Sequence, residues 1–217
     1  AAAAVAAALW GWLRPVAQTE APVTRLEFTT SSDLPFAFPV LSSVAALAIS
    51  PVGDRVVYSA HRGNGWVLAV RTMDQLSARV LPGTEGGLYP EFSPDGRWIA
   101  FESGGTLKKI AVDGSALTTI TTIGSTGSTG SSGLTWISNE EIVYALRALA
   151  SSRTMMRVSS SGGASTVFSR SDSTTTERFQ LSPRAVAGGR VVLYTSTRGS
   201  SLLFTIGAVD AKTGESK

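Results

Sequence analysis

Three short strings in the sequence carry residue types that serve phosphoryl transfer: His61-Arg62-Gly63, Asp95-Gly96 and Pro90-Glu91. A His-Arg-Asp loop needs its aspartate to accept a hydroxyl proton and a downstream asparagine to hold Mg²⁺. Gly63 stands where that aspartate would be and has no group to do its work. Asp95 is enclosed by Pro94, Gly96 and Arg97, a sequence that reverses the chain rather than one that offers a carboxylate to a metal. Before Pro90-Glu91 stands Tyr89 in place of the alanine of an Ala-Pro-Glu element.

Nucleophilic chemistry fares no better. A serine hydrolase needs Gly-x-Ser-x-Gly on a strand-to-helix turn, with a histidine and an acid, and none of the serines has that setting. His61 is the one histidine and lies beside the Asn64-Gly65 turn, which makes it a surface residue. Without cysteine there is no thiolate nucleophile, disulfide framework or zinc knuckle. The tract Gly124–Gly133, GSTGSTGSSG, lacks the Lys-Ser/Thr that would meet phosphate and Mg²⁺. The sequence therefore assigns no catalytic residue, no metal ligand and no cofactor site.

The formal charge is +3, but the basic residues are scattered and the densest spot is Lys108-Lys109. A nucleic-acid binder gains from counterion release along a basic stripe, so no nucleic-acid partner is expected.

What remains to be explained is the scaffold, and its composition is that of an all-β chain: 43% hydrophobic, 22 glycines, and abundant Ser and Thr without long runs of helix formers. Four related segments recur, at Leu47 (LAISPVGDRVVYSA), Glu91 (EFSPDGRWIAFES), Thr135 (TWISNEEIVYAL) and Gln180 (QLSPRAVAGGRVVLYTS). Measured at Ser50, Ser93, Ser138 and Ser182, the steps are 43, 45 and 44 residues, the length of a propeller blade. In the clearest unit a strand ends at Phe92, Pro94-Asp95-Gly96 turns it into 97–101, Gly104-Gly105 into 106–112, and Asp113-Gly114 into 116–120. Asp-Gly supplies the positive φ angles of tight hairpins, so the unit reads as a four-strand meander. The fourth unit carries an insertion around Ala185 to Gly189 and is one strand short. Trp66, Phe101, Trp98, Trp136 and Tyr144 fall on or beside strand positions, where large side chains fill the space between blades.

The fold expected is a partial β-propeller of about four four-stranded antiparallel blades, at 41–82, 83–122, 130–169 and 176–217, the last incomplete. Each sheet must bury its faces against its neighbours, so the two end faces of such an arc should be left uncovered. The Gly/Ser tract reads as a linker between blades. Before the blades, residues 1–15 read as the end of an apolar transmembrane helix and 16–40 as a linker with a short strand at 25–29. Trp10 and Trp12 next to Arg14-Pro15 suit the headgroup level of a bilayer, while thirteen apolar residues are too few to cross about 30 Å of hydrocarbon. With no initiating Met, the sequence reads as a piece of a longer polypeptide.

The segment SPDGRWIAF resembles the TolB-like, WD-type propeller repeats of bacteria. The longer stretch Leu81 to Gly114 is similar to the propellers that follow a transmembrane helix in large bacterial serine/threonine protein kinases. That resemblance implies a non-catalytic ectodomain on the periplasmic or extracellular side of a single-pass membrane protein. Its partner would be a protein or small-molecule ligand, with catalysis elsewhere in the parent. Two other settings use the same repeat: the gating propeller of a prolyl-oligopeptidase-like peptidase and a free TolB-like periplasmic scaffold.

Overall fold

The computed structural model describes residues 27, 29–36, 47–123, 130–147, 154–170, 177–198 and 204–215. The apolar segment 1–15 and most of the linker, including nearly all of the strand-like stretch 25–29, lie outside these residues. No helix of the described residues is long and apolar enough to cross a membrane.

Among the described residues fifteen strands form four antiparallel sheets. The first contains β1 (Leu47–Ile49), β2 (Arg55–Arg62), β3 (Gly65–Thr72) and β4 (Arg79–Val80); the second contains β5 (Leu88–Phe92), β6 (Trp98–Ser103), β7 (Thr106–Ala111) and β8 (Leu117–Thr122). The third contains β9 (Gly130–Trp136), β10 (Glu141–Arg147), β11 (Thr154–Ser159) and β12 (Thr166–Arg170). The fourth has three strands, β13 (Glu177–Val186), β14 (Val191–Arg198) and β15 (Phe204–Asp210). Within each sheet the strands follow sequence order, the meander expected from the turn residues. The first strand of each sheet packs on the first strand of the next, β1 on β5, β5 on β9 and β9 on β13, which places these strands at the axis. The result is all-β, a propeller of four blades.

The core lies between the sheets. Val57, Leu68 and Leu81 of the first blade meet Phe92, Ile99 and Phe101 of the second. Ala100 and Leu107 on the other side of the second sheet meet Trp136, Ile142 and Tyr144. Val143 and Met155 then meet Val192 and Tyr194. Alternation along a strand sends successive side chains to opposite neighbours, so Ile99 and Ala100 belong to different layers. Each fully buried side chain of this size contributes on the order of 1.5–3 kcal/mol.

One end face departs from the expectation that both stand open. Residues 29–36 lie over the outer side of the first sheet, where Leu34 and Phe36 join Val56, Tyr58, Ala60 and Val67. The strap is held by backbone as well: Phe36 bridges Ala60, and the His61 amide donates to the Pro35 carbonyl at 3.1 Å. On the fourth sheet Phe204 and Ile206 are 56% and 80% exposed.

The turn after each axial strand explains the repeat. Ser50 and Ser93 accept the N–H of Arg55 and Trp98 on their hydroxyls, at 3.0 and 2.9 Å, and donate to Asp54 and Asp95 at 2.7 and 2.6 Å. The hydroxyl thus locks the four-residue hairpin from inside. Gly96, at φ 69°, makes the reversal that a residue with a Cβ resists.

The fourth segment does not obey the serine register. Ser182 lies inside β13, at φ 53° beside a register shift between Leu181 and Arg184. The hairpin is made four residues later, by 187–190, with Val186 opposite Val191 and the Gly189 amide donating to the Val186 carbonyl at 3.1 Å. The apparent insertion at Ala185 to Gly189 therefore contains the turn itself, and the structural equivalents are Ser50, Ser93, Ile137 and Val186. Gly189 is required there because a Cβ would run into the Ile137 carbonyl oxygen of the third blade.

The Gly/Ser tract is also more than a connection. From Gly130 it is strand β9, paired to β10, with Ser131 and Ser132 buried. The Ser131 amide and hydroxyl both donate to the buried Glu102 carboxylate of the second blade, at 2.8 and 2.5 Å. That clasp compensates for the lack of side chains that would otherwise pack a strand.

Candidate functional site

The axial strands place three unlike side chains at one repeat position. Glu91 faces Ala100, Thr135 faces Val143 and Arg184 faces Leu193, one step before the pairs Phe92–Ile99, Trp136–Ile142 and Ala185–Val192. The Arg184 guanidinium donates to the Glu91 carboxylate, from the fourth blade to the second. The third blade threads between them: the Trp136 indole N–H donates to the Glu91 carbonyl at 3.1 Å, and Thr135 Oγ1 accepts the Ala185 amide at 3.0 Å. Asn139 Oδ1 accepts the Asp95 amide at 3.1 Å, tying the hairpins of the second and third blades.

Glu91, Thr135, Trp136 and Asn139 border a cleft of about 440 Å³, lined also by Pro94, Glu140 and Gly188. The Glu91 side chain is 16% exposed and that of Arg184 48%. Burial pushes the Glu91 carboxyl above its ordinary range, and the charge and hydrogen bond of Arg184 pull against it. Glu140 adds a second carboxylate at the rim, where it accepts from the Ser138 hydroxyl at 2.9 Å. The arrangement offers a polar, charge-bearing cleft bounded by aromatic and glycine surfaces, the composition of a binding site.

The strings singled out in the sequence are not brought together as a reaction centre. His61 lies near the β2–β3 hairpin, at the opposite end of the blades from the Asp95 turn, with its ring 4.3 Å from that of Trp66. Asp95 serves its hairpin: burial tends to raise its carboxyl, but hydrogen bonds from Ser93 and the Arg97 amide and guanidinium, with the Arg97 charge, hold it below the usual range. Pro90 and Glu91 lie within β5. Among the described residues no group of three His, Asp or Glu side chains converges as a metal site would require. Phe101, Trp136 and Tyr144 are buried in the layers between blades, while Trp66 and Trp98 are half-buried. The Glu91–Arg184 pair escaped the sequence reading. Its only linear signal is a shared place two residues before the hairpin, which emerges once the fourth hairpin is set at 187–190.

No protein-family model matches the sequence, and no curated protein matches it. Solved structures do resemble the fold. The chain is similar to a TolB structure from Agrobacterium tumefaciens, at TM-score 0.62 and 14% identity, over 79% of this chain and 63% of that one. It is similar to TolB from Acinetobacter baumannii, at TM-score 0.61 and 16% identity, over 82% and 43% of the two chains. An oligogalacturonate lyase from Vibrio parahaemolyticus matches at TM-score 0.55 and 11% identity, over 79% and 51%. The chain thus spans less than two thirds of the length of each. At these identities the likeness is one of architecture, and the architecture it bears out is the β-propeller.

Proposed function

We propose that this chain is a non-catalytic propeller module that binds a protein or small-molecule ligand at the hairpin-bearing end of its axial strands. The observation that carries the reading is the cleft between the second, third and fourth blades, with Glu91 in its lining and Arg184 ion-paired to Glu91. A buried carboxylate held by one half-exposed guanidinium is a group that a ligand cation can compete for, and propeller hairpins vary freely on a common frame. The test is a thermal-shift screen of the chain against peptide and metabolite libraries, repeated with Glu91→Gln. Stabilising compounds whose effect Glu91→Gln abolishes support the cleft; compounds whose effect that variant leaves intact overturn it.

The fuller reading is the extracytoplasmic region of a membrane-bound bacterial serine/threonine protein kinase. It rests on the apolar residues 1–13 and on the similarity of Leu81 to Gly114 to such propellers. The parent reading frame should then carry kinase Lys, His-Arg-Asp and Asp-Phe-Gly elements upstream of residue 1. An alkaline phosphatase fused after the blades should be active only outside the cytoplasm. A frame without those elements, or an inactive fusion, would defeat the kinase assignment while leaving the binding module standing.

A further inference from the structure

A second cleft, of about 490 Å³, opens between the first and second blades at the same hairpin-bearing end. Its apolar surface comes from Val70 and Val112, both of the layer between the first two blades; Trp98 borders it, with its side chain packed on the layer toward the third blade. Its charges are three guanidiniums, of Arg55, Arg79 and Arg97, against one carboxylate, of Asp113.

The three arginines have different duties. Arg79 donates to the Val112 carbonyl at 2.6 Å and to the Asp113 carbonyl at 3.3 Å, so it straps the third hairpin of the second blade to the first blade and sets the width of the cleft. Arg97 holds Asp95 through Nε at 2.9 Å, and Arg55 lies with Nε 3.6 Å from Asp54. Each of these two is steadied on the Nε side by the aspartate of its own hairpin, which leaves the Nη groups to face a ligand. The Asp113 carboxylate is engaged in its own turn, where Oδ1 accepts from the Ser115 hydroxyl and amide, at 2.6 and 2.9 Å.

A further observation points the same way. Thr72, directly across the strand pair from Arg55, lines the cleft and carries a buried hydroxyl with no hydrogen-bond partner among the described residues. Buried hydroxyls are rarely left so, and an acceptor in the cleft would relieve it.

From this arrangement we infer that the cleft binds a carboxylate borne on an apolar body, with Arg55 and Arg97 taking the carboxylate and Val70 and Val112 the body. Planar guanidinium edges match the two oxygens of a carboxylate, and an apolar floor favours a ligand whose remaining surface is hydrophobic. A peptide C-terminus ending in a large aliphatic residue has this chemistry, and so does a free acid of the same shape. The inference rests on the reading of the chain as a binding module, but on a different cleft from that of Glu91.

The test is titration calorimetry of the chain with an N-acetylated tripeptide ending in leucine, against the same peptide amidated at its C-terminus and against N-acetyl-leucine. The free acid should bind, and amidation should weaken it at least about tenfold. Arg55→Gln with Arg97→Gln should weaken it as much while leaving the thermal melt unchanged, since both side chains lie at the surface. Glu91→Gln should not alter it, which separates this cleft from the axial one. Competition by N-acetyl-leucine would assign the site to any acid of this shape, and its absence would assign it to peptide ends. Equal binding of acid and amide, or no binding of the acid at about 1 mM, would overturn the inference.

Discussion

Arg184 reaches across the third blade to Glu91, so residues 93 positions apart on the second and fourth blades form one ion pair at the axis. The contact exists only because successive axial strands pack side by side and because the fourth hairpin turns at 187–190. It therefore reports on the fold and on the candidate site together.

The pair should leave a mark on the pH profile of stability. Burial holds the Glu91 carboxyl above its ordinary 4.5 in the folded chain, with Arg184 opposing. The folded state then binds more protons than the unfolded one between the two values, so stability falls as pH rises through that window. Glu91→Gln should flatten the profile there, and Arg184→Gln, by removing the opposing charge, should steepen it. Urea midpoints from about pH 4 to pH 7 measure this; a Glu91→Gln profile parallel to that of the parent chain would contradict the burial of Glu91.

Ser93→Ala removes both the acceptor for the Trp98 amide and the donor to Asp95. It should cost about 1–2 kcal/mol in urea unfolding. Ser182→Ala, at the serine that mimics the motif without making the hairpin, should cost less than half as much. Equal costs would mean that the hydroxyl clasp does not hold the hairpin.

Glu102→Ala leaves the amide and hydroxyl of Ser131 without their acceptor between the second and third blades. A loss of about 2–3 kcal/mol is expected, and Glu102→Gln, which keeps one acceptor oxygen, should lose about half of that. Identical losses would show that the charge, and not the hydrogen bonds, joins the two blades.

Gly188→Ala and Gly189→Ala test the position of the fourth hairpin. Both residues have positive φ, 68° and 84°, but a Cβ at Gly188 meets open space while one at Gly189 meets the Ile137 carbonyl. The first should cost about 1 kcal/mol and the second clearly more, by thermal or urea unfolding. Equal costs would remove the close approach of the two hairpins.

The fold was legible where local chemistry and strand pairing agree. In the first two blades Ser50 and Ser93 close their hairpins, and the Asp-Gly and Asn-Gly turns lie between the strands they separate. It was misleading where a local signature and the pairing diverge. Ser182-Pro183 repeats the motif, yet β13 continues past it through a bulge because the Val186–Val191 pairing decides where the chain turns. Gly130 to Gly133 carry no strand signal in their side chains and become strand through β10 and Glu102. Likewise the strap of Leu34 and Phe36 was hidden in a Pro- and Ser-rich stretch, since what makes it structural is the apolar sheet beneath it. The candidate site depends on contacts between blades, which no single repeat contains.

The most direct measurement is a double-mutant cycle on Glu91 and Arg184, with Glu91→Gln, Arg184→Gln and the double variant compared by urea unfolding at neutral pH. A coupling of about 1 kcal/mol is expected, because Glu91 is largely buried while Arg184 is half-exposed and screened. Additive losses, with coupling near zero, would mean that the second and fourth blades do not meet at a common axis, and both the cleft and the function proposed for it would fall.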